Sequence, residues 1–273
     1  MRKLIQRNAL LLLAGLATAP AQADPRIDAI TSGVGDWFTE SEYTIGGGIA
    51  YGPKFAGSKD YGIAPYFNLH MLTPQGIYID PLQGIGWQTP LGERFVLSLG
   101  VGYDFGRAES DKGLGAGSDR LKGMGDVKGS VLGTTSLGFM ITPATQLSVS
   151  LAQALSNSDR GLSWDVSLGH AFELSEADTI GVAGAVHLGD GKYNQTYFGV
   201  TQAQSKTSRF KAYEAGSGIN SYSFTVNWTH KWTKHWNTDV MAGVTQFAGD
   251  VANSPLLDTK TNYIGVASLN YTF

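Results

Sequence analysis

The chain has 273 residues, 42% of them hydrophobic and only 16% charged, with 36 glycines, no cysteine and a formal net charge of −3. That much apolar content at so little charge excludes a disordered chain, and the missing cysteine excludes a disulfide scaffold. The glycines are scattered among Tyr, Phe, Trp and Val instead of being gathered into linkers, a mixture that suits strands better than helices.

At the start of the chain, Arg2, Lys3 and Arg7 precede an apolar run from Ala9 to Ala17, and Ala21-Gln22-Ala23 follows as a small-residue cleavage site. Residues 1–23 are therefore expected to be a secretory signal peptide, cut between Ala23 and Asp24. The apolar run is too short to span a bilayer, and no later segment reaches the ~20 apolar residues that a spanning helix needs. Losing three cations leaves the exported chain more acidic, which argues against nucleic acid as a partner. Residues 24–42 are expected to be a periplasmic N-terminal segment, and 43–273 a single β-domain.

From residue 43 onward the side-chain period is two. Strands are predicted at 43–51, 62–72, 76–81, 84–89, 94–105, 125–139, 146–155, 161–173, 179–188, 219–232, 236–248 and 261–273. The tenth shows the pattern best, with Tyr222, Phe224, Val226, Trp228, His230 and Trp232 on one face and Ser221, Ser223, Thr225, Asn227, Thr229 and Lys231 on the other. Strands of ~10 residues with one apolar face and one small or polar face are what a tilted membrane-barrel strand requires. A soluble sandwich alternates too, but with strands nearer ~5 to 6 residues and its apolar face turned inward. Short turns follow the second, fourth, sixth, eighth and tenth strands, and most of the long loops fall between them. An even-stranded barrel with both ends in the periplasm has that spacing. The fold predicted is thus an all-β transmembrane barrel, antiparallel and up-and-down, with twelve strands, or ten if Pro81 breaks the third and fourth.

Chemistry-bearing residues fall in a few places. Asp104, Arg107, Asp126 and Lys128 are expected to form a charge cluster at the external mouth of the lumen, with Asp165 and His187 pointing inward at a similar height. Buried charges of opposite sign pair to offset desolvation, so the cluster reads as structural. A hydrolase there would need a nucleophile, yet Ser163 and Ser167 have no His beside them on their own face, and no Gly-x-Ser-x-Gly elbow occurs. The five histidines share no metal-ligand spacing, and no cofactor or metal is expected. Gly189 to Gly218 carries Tyr193, Tyr197, Phe198 and Phe210, too many aromatics for a loop free in water, so it is expected to plug or cap the barrel. Trp228, Trp232 and Trp236 flank Lys231, Lys234 and His235 at a tight turn. This reads as an aromatic girdle with snorkelling cations, and as a candidate contact for a periplasmic partner.

The chain ends on Tyr263, Leu269, Tyr271 and Phe273 in alternation. This resembles the C-terminal strand of bacterial outer-membrane proteins, which implies recognition by the barrel assembly machinery and insertion into outer-membrane lipid of a Gram-negative cell. Further upstream, Tyr51-Gly52-Pro53-Lys54-Phe55-Ala56-Gly57-Ser58-Lys59-Asp60-Tyr61, Tyr103-Asp104-Phe105-Gly106-Arg107, Leu121-Lys122-Gly123-Met124-Gly125-Asp126-Val127, Tyr197-Phe198-Gly199-Val200-Thr201 and Asn253-Ser254-Pro255-Leu256 resemble, in order, the MipA/OmpV family of MltA-interacting outer-membrane proteins. The resemblance implies a scaffold, not an enzyme, that joins a lytic transglycosylase to a murein synthase in peptidoglycan assembly. A small pore or a surface antigen is the alternative function, and a hydrolase at the lumen mouth the third. On the export reading, Ala23→Arg puts a bulky charge where cleavage needs a small residue. Intact-mass measurement of the membrane fraction should then find Met1 retained in the variant and Asp24 leading the wild-type chain.

Overall fold

The computed structural model describes residues 42–80, 83–111 and 116–273. The expected signal peptide, its Ala23/Asp24 junction and the segment before Glu42 lie outside the described residues. Twelve strands run in chain order: β1 (Glu42–Pro53), β2 (Tyr61–Leu72), β3 (Ile77–Asp80), β4 (Gly84–Leu91), β5 (Phe95–Asp104), β6 (Ser130–Thr142), β7 (Thr145–Ala154), β8 (Leu162–Glu173), β9 (Asp178–Gly189), β10 (Gly218–Lys231), β11 (Trp236–Phe247) and β12 (Thr261–Thr272). Each pairs antiparallel with its chain neighbours, and β1 pairs with β12 from Thr44↔Thr272 to Tyr51↔Gly265, so the sheet closes on itself. Two short helices, α1 (Gly191–Phe198) and α2 (Gln202–Thr207), lie in the β9–β10 connection. No helix among the described residues is long and apolar enough to cross a membrane, and the strands do the crossing.

The alternating faces separate as a membrane barrel requires. Ile45, Ile49, Ile63, Phe67, Val101, Phe224 and Leu269 point outward and are about half or more exposed. Inside, the wall is polar and hydrogen-bonded. Ser148 Oγ lies 2.8 Å from Ser167 Oγ, Asn68 donates to Asn270 Oδ1 at 3.1 Å, and Asn270 donates to Asp239 Oδ2 at 2.6 Å. An exposed apolar belt of this extent around a polar interior fits lipid outside, not water.

The predicted strands and the observed ones agree closely except near β6 and β3. The sixth strand begins at Ser130, not at 125, because Gly125 adopts φ +76° and Glu109 Oε2 accepts from the backbone N–H of both Gly123 and Gly125. That stretch belongs to an external loop. β3 is only four residues long and meets β2 at two positions, Met71↔Ile79 and Leu72↔Tyr78, yet it keeps its place and the count stays at twelve.

Closure brings β1 and β12 into close contact at glycines. A Cβ on Gly48 would stand 1.9 Å from the Ala267 carbonyl oxygen, and one on Gly46 would stand 1.9 Å from Asn270 Oδ1. Gly47 points the other way and would meet only the Tyr66 oxygen, at 4.0 Å. Gly48→Val should therefore block the closing pair and remove the folded, heat-modifiable band in detergent electrophoresis. Gly47→Val should leave it, because the backbone oxygen facing Gly48 cannot yield as a side chain would.

Candidate functional site

Both ends of the barrel carry groups that the barrel itself does not need. The even-numbered turns are tight and define the periplasmic end by their length; the longer connections lie at the external mouth. There, four of them fold together. Ala56, Tyr193, Tyr197, Phe198, Ala215, Phe247 and Val251 form one buried apolar cluster, and Phe55, Leu121, Met124, Val200, Phe210 and Leu256 form a second. These residues come from the β1–β2, β5–β6, β9–β10 and β11–β12 connections and from the end of β11. The loop of residues 189–218 is thus a cap with its own packed core.

Local chemistry sets the two cap helices. Asp190 caps α1 by accepting from the Tyr193 N–H at 2.7 Å, and Thr201 and Gln204 form a reciprocal capping box on α2. Ser254 Oγ donates to the Phe198 carbonyl at 2.5 Å and Gln204 Nε2 to the Met124 carbonyl at 2.8 Å, which ties the helices to neighbouring loops.

Beneath the cap lies a buried cluster of charged groups. The Asp104 side chain is 4% exposed and pairs with Arg160, itself 6% exposed. Tyr197 of α1 donates its hydroxyl to the same Asp104 oxygen at 2.5 Å, and the Arg160 guanidinium carbon sits 5.3 Å above its ring. Arg107 Nη1 donates to the Tyr197 carbonyl at 2.8 Å, and burial pushes its guanidinium pKa down to about 10. Tyr197 is thereby held at both ends and on one face.

Of the four expected cluster residues, Asp104 and Arg107 meet at Tyr197. Asp126 and Lys128 do not: both are exposed in the loop before β6. Asp126 accepts from the Glu109 N–H at 2.9 Å, and Lys128 contributes its carbonyl to Arg160 Nη1 at 2.9 Å. The cation that does pair is Arg160, which sequence reasoning missed. It sits 56 positions from Asp104 in the β7–β8 connection, which the pairing of β5 with β6 and of β6 with β7 brings to the same rim. Asp165 and His187, expected to point inward, do meet on the inner wall. Outside the cap is a cleft of about 600 Å³ whose lining includes Lys54, Lys59, Arg120, Arg209 and Asp258. Two of its cations are already paired, Lys54 with Asp111 and Arg120 with Asp258.

At the periplasmic end, Trp232 is 62% exposed and Trp236 43%. The turn between them is built on Thr233 Oγ1, which accepts from the N–H of His235 and of Trp236. His235 Nδ1 lies 2.8 Å from the Thr272 carbonyl and its ring stacks on Tyr271 with 5.4 Å between centroids. Phe273 packs edge-on against Tyr271, and its N–H donates to the Tyr43 carbonyl at 3.0 Å. The terminal aromatics therefore fasten the Trp-flanked turn to the closing strand, and Tyr263, Leu269 and Phe273 face outward as the alternation required. His235 is an anchor of this turn, whereas Lys234 is exposed.

Arg160→Met strips the Asp104 carboxylate of its cation while keeping it buried, a change worth about 3–5 kcal/mol in comparable pairs. Limited proteolysis should cut residues 191–217 faster in this variant while the barrel stays protected, and adding Asp104→Asn should restore much of the resistance.

The family model for MltA-interacting protein MipA matches residues 45–273, which takes in part or all of each of the twelve strands and the cap. Outer membrane protein OmpV of Vibrio cholerae is 27% identical over 182 residues, spanning 66% of this chain and 64% of that protein. Outer membrane protein Omp26La of Vibrio anguillarum is 26% identical over 182 residues, with the same shares. The chain thus spans just under two thirds of the length of these relatives. Among solved structures, a NanC porin superposes with a TM-score of 0.46 at 8% identity, over 84% of this chain and 98% of the porin. With the closed twelve-strand sheet, its outward apolar belt and the family match in agreement, this chain is an outer-membrane β-barrel belonging to the MipA family.

Proposed function

We propose that the barrel is a scaffold that docks murein enzymes at its periplasmic rim, a lytic transglycosylase and a murein synthase among them. The family description, MltA-interacting protein, supports the reading, because it names an interaction and not a reaction. The observation that carries it is the contrast between the two ends. The external mouth is covered by a cap with two apolar clusters of its own, while the periplasmic turn leaves Trp232, Lys234 and Trp236 exposed on a fixed frame. Tryptophan on a rigid turn is a good anchor for a partner, since Trp, Tyr and Arg side chains carry most interface energy. A periplasmic enzyme reaches only this side, because the hydrocarbon core separates it from the loops by ~25 to 30 Å.

The second reading, a small pore, is served by the same geometry if the cap opens. The expected outcomes separate the two. Replacing Lys231, Lys234 and His235 together by Ser should weaken binding of a purified lytic transglycosylase by about tenfold or more, an effect of ~1.4 kcal/mol or above. Lys234→Ser alone, which leaves the His235 anchor in place, should give a smaller loss in the same direction. Deleting most of residues 191–217 should leave that affinity unchanged and raise single-channel current. Affinity lost with the loop and kept without the basic turn overturns the scaffold reading.

A further inference from the structure

The inner wall of the barrel holds a constellation that neither scaffolding nor conductance calls for. Asp165 on β8 and His187 on β9 are direct partners in the sheet register, and Ser223 follows on the same inward face of β10. His187 turns Nδ1 to the Asp165 carboxylate, and its Nε2 lies 2.8 Å from Ser223 Oγ. The carboxylate accepts from Nδ1–H, and the lone pair on Nε2 is thereby aimed at the serine hydroxyl. This is the arrangement in which a serine is activated as a nucleophile and the carboxylate fixes the imidazole's tautomer. The side chains of His187 and Asp165 are 12% and 16% exposed and Ser223 is 7% exposed, so the group is recessed but not sealed.

Hydrogen bonding alone does not demand this order. Elsewhere on the wall, hydroxyls satisfy one another, as Ser148 and Ser167 do at 2.8 Å. Beside Ser223 the surroundings supply what an acyl transfer needs next. Thr245 on β11 is the register partner of Ser223, fully buried, and its hydroxyl has no partner among the described residues. Cross-strand neighbours have Cβ atoms ~5 Å apart, which puts that hydroxyl within reach of an oxygen on a carbon bonded to Ser223 Oγ. Thr225, two residues along the same face, also carries a buried hydroxyl without a partner among the described residues. Asp190, the N-cap of α1, follows His187 by three positions, which places the group toward the capped end of β9.

We propose that Ser223, His187 and Asp165 form a hydrolytic centre in the lumen, acting on short-chain carboxylic esters of hydrophilic compounds. The short acyl group and hydrophilic leaving group follow from the small and mostly polar side chains beside the group, Ser221, Thr225, Ala185 and Ser167, all buried on the inner wall. Ser223 Oγ bonds to the carbonyl carbon as its proton passes to His187 Nε2, and the Thr245 hydroxyl donates to the developing oxyanion. The carbon–oxygen bond to the alcohol then breaks, and the alcohol leaves with the proton from Nε2. Water next gives one proton to Nε2 and its hydroxide to the acyl carbon. The bond to Oγ breaks, Ser223 regains the proton, and the carboxylic acid departs. Asp165 positions the ring throughout and takes no part in bond exchange.

The inference is independent of the scaffold reading, and its test uses no murein enzyme. The full chain, folded in detergent micelles and verified by heat-modifiable migration, is treated with a small fluorophosphonate and digested for mass spectrometry, while p-nitrophenyl acetate reports turnover. Label is expected on the Ser223 peptide of the wild type and on none in Ser223→Ala, which removes only an oxygen and leaves the wall intact. Asp165→Asn should lower kcat by ~10⁴-fold with little change in KM, as loss of the positioning carboxylate does in serine hydrolases. A purely structural role would leave a folded Ser223→Ala variant hydrolysing as fast as wild type. That result, a folded wild type that takes no label, or label on another residue would each overturn the proposal.

Discussion

In hydrocarbon there is no water to satisfy a backbone N–H or C=O, so a sheet that crosses a membrane must have no open edge. Everything else in this molecule follows from that requirement. The pairing of β1 with β12 meets it, and the pairing is possible because Gly46 and Gly48 present no Cβ where the two strands approach. Closure also fixes the direction of every side chain. Once the sheet is a cylinder in lipid, the apolar residues of each strand must face out and the small polar ones in, the reverse of a soluble sandwich.

That reversal displaces the apolar core. The lumen is lined by Ser, Thr and Asn that hydrogen-bond across strands, so it offers little hydrophobic burial. The two larger apolar clusters sit instead in the external cap, where Phe55, Phe198, Phe210, Phe247 and Leu256 exclude water from one another. A cap of loops packed in this way also needs a fixed orientation on the rim. Tyr197 supplies it through Asp104, Arg160 and Arg107, a buried charge pair with an aromatic ring wedged against it. Pairs of this kind contribute more to geometric specificity than to net stability, since the attraction is spent against desolvation.

The periplasmic end has a different character because it is anchored by the closing strand. His235, Tyr271 and Phe273 stack and edge-pack around the β10–β11 turn, so the chain terminus that completes the barrel also stiffens the most aromatic turn. The outer-membrane assignment, the family and the twelve-strand count rest on the barrel as a whole. The two ends then divide the labour, one closed by packing and one presenting rigid aromatic and basic side chains.

The period of two along the sequence determined the fold class and the facing of nearly every strand, because a pleated backbone sends successive side chains to opposite sides whatever its partners. Turn lengths likewise determined the up-and-down order and which end carries the loops. Local composition also marked residues 189–218 as a cap, since four aromatics cannot stay in water. Which charges meet was decided only in three dimensions. Asp104 stands nearer Asp126 and Lys128 in the chain, yet pairs with Arg160, because the pairing of β5, β6 and β7 brings the β7–β8 connection beside the end of β5. Ser223 was invisible as a partner of His187 for the same reason: the two lie 36 positions apart, on strands that become neighbours through a loop of two helices. Alternation specifies a face but not a register, and register, which sets the contacts between side chains on different strands, belongs to the closed sheet alone.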